Sequence, residues 1–278
     1  MADVRIESTQ IGKISCLIFS WEFQEPAPLI IFVHGYESDK RQGIPMGYEL
    51  AKRGFICVSI DTILRGDRVD QEFDLAAGPA FQSVYPKETG LDSFFTMFKM
   101  IRQTGLDIQS LIDYFRDDPR VDVDKVGLVG YSMGGYAAFH AVKAVPELKA
   151  SVSIAGNPYF KQRWQDVVLE CSTYPEWDDK LKKVERETAQ RSAFIQDIDP
   201  YPIWVDDFLV PLLMICGDLD TVSPKKYLLD LYQQIREAHQ PGSEYLKLSV
   251  FDGIGHQLTL AMAEETADWL AKVFKMAD

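Results

Sequence analysis

Apolar residues recur along this chain in short continuous runs, Leu29-Ile30-Ile31-Phe32-Val33, Phe55 to Ile60, Val126 to Val129 and Pro211 to Cys216, and two further strands are predicted over Ser151 to Ala155 and Tyr245 to Phe251. Runs this short, bounded by Gly, Pro or charge, predict strands covered on both faces. Two earlier segments differ. Val4-Arg5-Ile6-Glu7 alternates like a half-buried strand, and Ile14 to Phe19 predicts a partner for it, with Gly12 in the turn. Between the runs the spacing changes to that of helices. Ile108, Leu111, Ile112 and Phe115 follow i, i+3, i+4, i+7 and predict a helix over 92–117, closed by Pro119. Shorter helices are predicted over 43–53, stopped by Gly54, and over 136–142. Another follows Ser223-Pro224, with Ser223 as N-cap and a stripe of Tyr227, Leu228, Leu231 and Ile235. A last helix over 258–275 carries Leu258, Met262, Trp269 and Val273 on one face. Strands alternating with helices predict an α/β domain: a mostly parallel, eight-stranded sheet with helices on both faces.

Two stretches depart from this rhythm. Residues 62–90 are irregular and rich in Gly, Pro and charge. Residues 159–210 are charged and aromatic, with helix-like stretches near 160–171 and 177–196. They predict a helical cap inserted into a core made of 1–158 and 211–278. Its aromatics, Tyr159, Phe160, Trp164, Tyr174, Trp177, Trp204 and Phe208, either line a pocket or fasten the cap to the body.

Composition narrows the function. The 278 residues are 46% hydrophobic and 26% charged, as in a globular protein, and carry a formal net charge of −13. Nucleic acid and anionic membrane surfaces would repel such a chain. Cys16, Cys57, Cys171 and Cys216 are scattered and form no C-x-x-C pair, which predicts a reducing compartment. The N-terminal residues have neither the basic nor the apolar region of a signal peptide, and no apolar run is long enough to span a membrane. The expectation is a cytoplasmic protein. Nothing in the sequence speaks to its oligomeric state.

The chemistry centres on Gly130-Tyr131-Ser132-Met133-Gly134, which lies between a predicted strand and a predicted helix. In that context G-x-S-x-G marks a sharp turn that exposes a serine hydroxyl at the helix N-terminus. Such a hydroxyl is a weak nucleophile without a base, and the base needs an orienting acid. Of the four histidines, His256 follows the last strand in a Gly-flanked loop and is the candidate base. His34 reads as a buried loop histidine, His140 points away from the turn, and His239 lies in a polar, exposed stretch. Asp218 and Asp220 both follow the strand 211–216. Asp220 reaches further and is favoured as the acid, Asp218 reads as a turn brace, and Asp252 is a third option. Backbone N–H groups of Met133 and of Tyr36, after Gly35, are the candidate oxyanion donors. Arg65 and Arg68 are candidate substrate contacts or braces of a charged loop. Tyr131, Phe160, Trp164 and Trp204 complete the candidate contacts.

Taken together, His34-Gly35-Tyr36, Gly130 to Gly135, Gly217-Asp218-Leu219-Asp220-Thr221-Val222-Ser223-Pro224 and Gly255-His256 make the chain resemble the α/β-hydrolase superfamily over nearly its whole length. Within it, the chain is similar to the dienelactone hydrolase and prolyl-oligopeptidase-like serine esterases. Arg65-Gly66-Asp67-Arg68 resembles the Gly-Glu-Arg-type loop of small bacterial esterases in that group. The resemblance implies the α/β-hydrolase fold, the triad order Ser132, Asp220, His256, and no metal or organic cofactor. The chain differs from dienelactone hydrolases proper, which use cysteine where it has Ser132. The expected activity is hydrolysis of small or medium acyl carboxylic esters through an acyl-enzyme, with a small-molecule ester as substrate. Alternatives are a peptidase, amidase or thioesterase of the same fold, or a binding protein that holds a ligand without turnover.

Overall fold

The computed structural model describes residues 3–21, 26–69, 90–172, 189–239 and 245–275. Eight strands form one sheet: β1 (Arg5–Ile11), β2 (Ile14–Ser20), β3 (Ala27–Val33), β4 (Ile56–Ile60), β5 (Val121–Tyr131), β6 (Leu148–Ile154), β7 (Leu212–Gly217) and β8 (Leu246–Phe251). Their spatial order is β1-β2-β4-β3-β5-β6-β7-β8. β1 pairs antiparallel with β2 and β2 with β4, and every later pairing is parallel.

The continuous apolar runs arise because the sheet is covered on both sides. Along β3, Leu29, Ile31 and Val33 enter one core and Ile30 and Phe32 the other. The second core is closed by α1 (Ile44–Lys52) and α8 (Leu260–Val273), through residues such as Leu50, Leu270 and Trp269. The first is closed by α2 (Gly90–Phe115), α3 (Met133–Ala144) and α7 (Lys226–Ala238). The two edge strands are the exceptions: most residues of β1 are exposed, and in β8 Leu246 alone is buried.

Several boundaries differ from the expectation, among them α3, which spans Met133–Ala144 rather than 136–142, and β6, which spans Leu148–Ile154 rather than Ser151 to Ala155. β5 begins at Val121 rather than Val126, because Val121 and Asp122 pair with Ala27 and Pro28 of β3; after a break in that register the buried half resumes at Val126 opposite Leu29. The final helix starts at Leu260 rather than at 258. It is capped by the Thr259 hydroxyl, which accepts from the Met262 N–H at 3.2 Å. α7 starts at Lys226, not at Pro224, and Ser223 is not its cap. The Val222 and Ser223 N–H groups instead donate to the Asp220 carboxylate, so the chain is held in a turn there.

Between β6 and β7 lie α4 (Phe160–Ser172), α5 (189–198) and α6 (Tyr201–Asp206). Phe160, Trp164, Ile195, Ile198 and Trp204 join the same core as α2 and α3. Tyr174, Trp177 and most of the helix expected over 177–196 lie outside the described residues, as do 70–89 of the irregular stretch.

Candidate active site

β5 runs straight into the turn at Ser132, and α3 begins one residue later. Ser132 has φ 54° and ψ −114°, a conformation that residues with a side chain rarely adopt. The strain is held from several directions. The Ser132 N–H donates to the Ile154 carbonyl at 2.8 Å, and the Gly134 N–H donates to the His34 carbonyl at 3.2 Å. The glycines are needed for close approach. A Cβ on Gly130 would lie 1.8 Å from the Gly134 oxygen, and one on Gly134 would lie 2.0 Å from the Val33 oxygen.

Three residues far apart in sequence meet at this turn. The His256 Nε2 lies 2.8 Å from the Ser132 Oγ, and its Nδ1 lies 2.8 Å from the Asp220 Oδ2. A carboxylate oxygen accepts, so the Nδ1–H donates to Asp220 and the Nε2 lone pair faces the serine hydroxyl. The Asp220 side chain is fully buried, while the His256 side chain keeps 21% of its exposure. The other Asp220 oxygen accepts from the Val222 N–H at 2.9 Å and the Ser223 N–H at 2.8 Å. Asp218 does something else: its Oδ1 accepts from the Ile254 N–H at 3.3 Å, which ties the loop after β7 to the loop after β8.

The loop after β3 stands beside the turn. The Gly35 N–H donates to the Gln42 Oε1 at 2.7 Å, and the Tyr36 hydroxyl donates to the Ser93 carbonyl at 3.2 Å. His34 is buried beneath it. Its Nε2 accepts from the Thr62 N–H at 3.1 Å, so the proton sits on Nδ1, which donates to the Gly35 carbonyl at 2.6 Å. Burial lowers the His34 pKa to about 4, so the ring is neutral near neutral pH. Met133, the first residue of α3, carries one of the N–H groups that have no partner inside a helix.

Of the two readings open for the remaining candidates, substrate contact or bracing, their bonds fit bracing. Arg68 is buried, with its Nη1 donating to the Asp107 carboxylate at 2.6 Å and to the Asp61 carbonyl at 2.9 Å. Arg65 donates through Nε to the Tyr36 carbonyl, and its guanidinium lies 4.4 Å from the centre of the Tyr36 ring. Both arginines therefore brace the loop. The Asp61 and Asp67 carboxylates share Lys40, whose Nζ donates to each at 2.7 Å. Phe160, Trp164 and Trp204 are packed into the core instead of facing an open pocket. Trp204 Nε1 donates to the Phe139 carbonyl at 3.0 Å and Trp164 Nε1 to the Ser192 hydroxyl at 3.1 Å, so their polar atoms fasten helices together. Tyr131 packs against His256. His239, expected to be exposed, is half-buried and donates through Nε2 to the Val205 carbonyl at 2.6 Å. Sequence reasoning missed Lys40 and Gln42, whose partners lie in other loops and leave no local signature.

Among the described residues no group of His, Cys, Asp and Glu is arranged to hold a metal ion. None of their helices is long and apolar enough to cross a membrane.

Residues 98–277, which carry Ser132, Asp220 and His256, match the prolyl oligopeptidase family, Peptidase_S9. The chain belongs to the prolyl oligopeptidase family. It is also 25% identical over 269 residues to YitV of Bacillus subtilis (strain 168), a protein named as an esterase, covering 96% of this chain and 98% of that one. Solved structures share the fold. TT1662 from Thermus thermophilus superposes with a TM-score of 0.65 at 18% identity, covering 99% of each chain. Acetyl xylan esterase 1 from Thermoanaerobacterium sp. JW/SL YS485 gives 0.63 at 18% identity, covering 98% of this chain and 88% of that one. This member of the prolyl oligopeptidase family thus has the α/β-hydrolase fold and is a serine hydrolase of the esterase and peptidase kind.

Proposed function

We propose that the protein hydrolyses carboxylic esters of small or medium acyl chains through an acyl-enzyme on Ser132. The observation that carries this reading is the relay of two 2.8 Å hydrogen bonds from Ser132 through His256 to Asp220. In the first step Ser132 Oγ attacks the ester carbonyl carbon while His256 Nε2 takes its proton. Asp220 keeps the imidazole in the right tautomer and stabilises its positive charge. The backbone N–H groups of Tyr36 and Met133 receive the oxyanion. His256 then returns the proton to the departing alcohol, and the acyl group remains on Ser132. Water repeats the sequence, with His256 as base, and releases the acid.

Residues 159–210, between β6 and β7, would serve as the cap over the core of 1–158 and 211–278. A fluorophosphonate probe tests the nucleophile: the wild type should gain one adduct on the peptide holding Ser132, and Ser132→Ala none. Labelling elsewhere, or no labelling of the wild type, would remove this reading. Paired ester and amide substrates with the same acyl group separate an esterase from a peptidase, and the expected preference is for the ester.

A further inference from the structure

We propose that Tyr131 is a positioning residue that fixes the height and tilt of the His256 imidazole above Ser132. The inference rests on the esterase reading and adds a residue to its machinery. His256 stands on a loop with Gly253 and Gly255 before it, the former at φ 71°. Such a loop has little stiffness of its own. The loop is fastened at Ile254, whose carbonyl accepts from the Leu219 N–H at 3.0 Å and whose N–H reaches Asp218 at 3.3 Å. At His256 itself the backbone fastening comes from Tyr131: its O–H donates to the His256 carbonyl at 3.0 Å.

The same ring does two further things. Its centroid lies 5.4 Å from that of the imidazole, with the planes 35° apart, so it limits how the imidazole can swing. It also lies against the loop after β3, because a Cβ on Gly35 would meet Tyr131 Cδ1 at 3.2 Å and Cε1 at 3.3 Å. Tyr131 can serve as a reference for both because it ends β5 and pairs with Ile154 in the middle of the sheet. A rigid strand end therefore touches the base and the oxyanion loop and directly precedes the nucleophile. Burial pushes the phenol pKa up to about 12, so the donor keeps its proton through the working range. Catalytic groups lose rate when displaced by a fraction of an ångström, whereas substrate affinity need not change.

The test compares the wild type with Tyr131→Phe and Tyr131→Leu in the full chain. It measures kcat and KM on p-nitrophenyl acetate, the thermal midpoint, and the low-field proton resonance of the His256–Asp220 hydrogen bond. Tyr131→Phe keeps the ring and loses only the donor. It should lower kcat by roughly 5- to 30-fold with KM within about twofold, and should broaden or shift the low-field proton. Tyr131→Leu should lower kcat further. Unchanged kcat and an unchanged resonance in Tyr131→Phe would overturn the proposal, even if the thermal midpoint fell. A raised KM at constant kcat would also overturn it, making Tyr131 a substrate contact. Should Tyr131→Leu fail to fold, the single-oxygen change in Tyr131→Phe decides. A wild type with neither turnover nor probe labelling would remove the esterase reading together with this inference, whereas an active wild type with an unaffected Tyr131→Phe would remove the inference alone.

Discussion

The Asp220 carboxylate is used on both sides. One oxygen holds the Val222 and Ser223 N–H groups, and the other holds the imidazole. An amide in its place would fit the space, but its NH2 would face either two backbone donors or the Nδ1–H. The imidazole would then be driven toward the tautomer that puts its proton opposite Ser132. Asp220→Asn should therefore keep the fold and lower kcat by about 10³- to 10⁴-fold, as judged by steady-state hydrolysis and circular dichroism. A loss smaller than about tenfold would show that Asp220 does not orient the base. Ser132 and His256 are legible in the sequence because a G-x-S-x-G after an apolar run and a Gly-flanked histidine after the last strand each leave a local trace. Asp220 and Asp218 share one chemistry, and in the sequence only loop reach and family pattern separate them. The fold turns one toward His256 and the other toward Ile254.

The elements that support the site divide in the same way. The parallel strands are legible because both of their faces are covered, which forces apolar residues at nearly every position of β3 and β4. The loop 61–68 is not, since its order comes from pairs made across the sequence: Lys40 with Asp61 and Asp67, Arg68 with Asp107, Arg65 with Tyr36. Gly66 shows how tightly it is built. Its φ is 54°, and a Cβ there would lie 2.3 Å from the Asp61 carboxylate. Gly66→Ala should displace that carboxylate from Lys40, lowering both the thermal midpoint and kcat. Arg68→Met should act mainly on stability, because it leaves the Asp107 carboxylate buried without its charge partner. The expected cost is about 3–5 kcal/mol in denaturant unfolding. A change below about 1 kcal/mol would mean that water or a neighbour replaces the guanidinium.

Over the whole molecule, two buried histidines set the response to acid. Burial lowers the pKa of His34 and of His140 to about 4 each, below the ordinary value of 6.5. Between those values the unfolded chain binds protons that the folded chain refuses, so stability is fully present above about pH 6.5 and is lost as pH falls toward 4. The net charge of −13 acts in the opposite sense, because protonating carboxylates relieves repulsion. The thermal midpoint should fall steadily from pH 7 to pH 4.5. A midpoint that rose over that range would show that charge repulsion outweighs the buried imidazoles.

The proposed function stands or falls with Ser132, placed by a strained turn and joined to His256 and Asp220. Hydrolysis of p-nitrophenyl acetate and butyrate at neutral pH, by the wild type and by Ser132→Ala, tests it without intermediate steps. The wild type should turn over both esters, and kcat should fall on the order of 10⁴-fold or more in the variant, with the thermal midpoint little changed. Equal rates in the two proteins, or no turnover by either, would contradict a serine esterase.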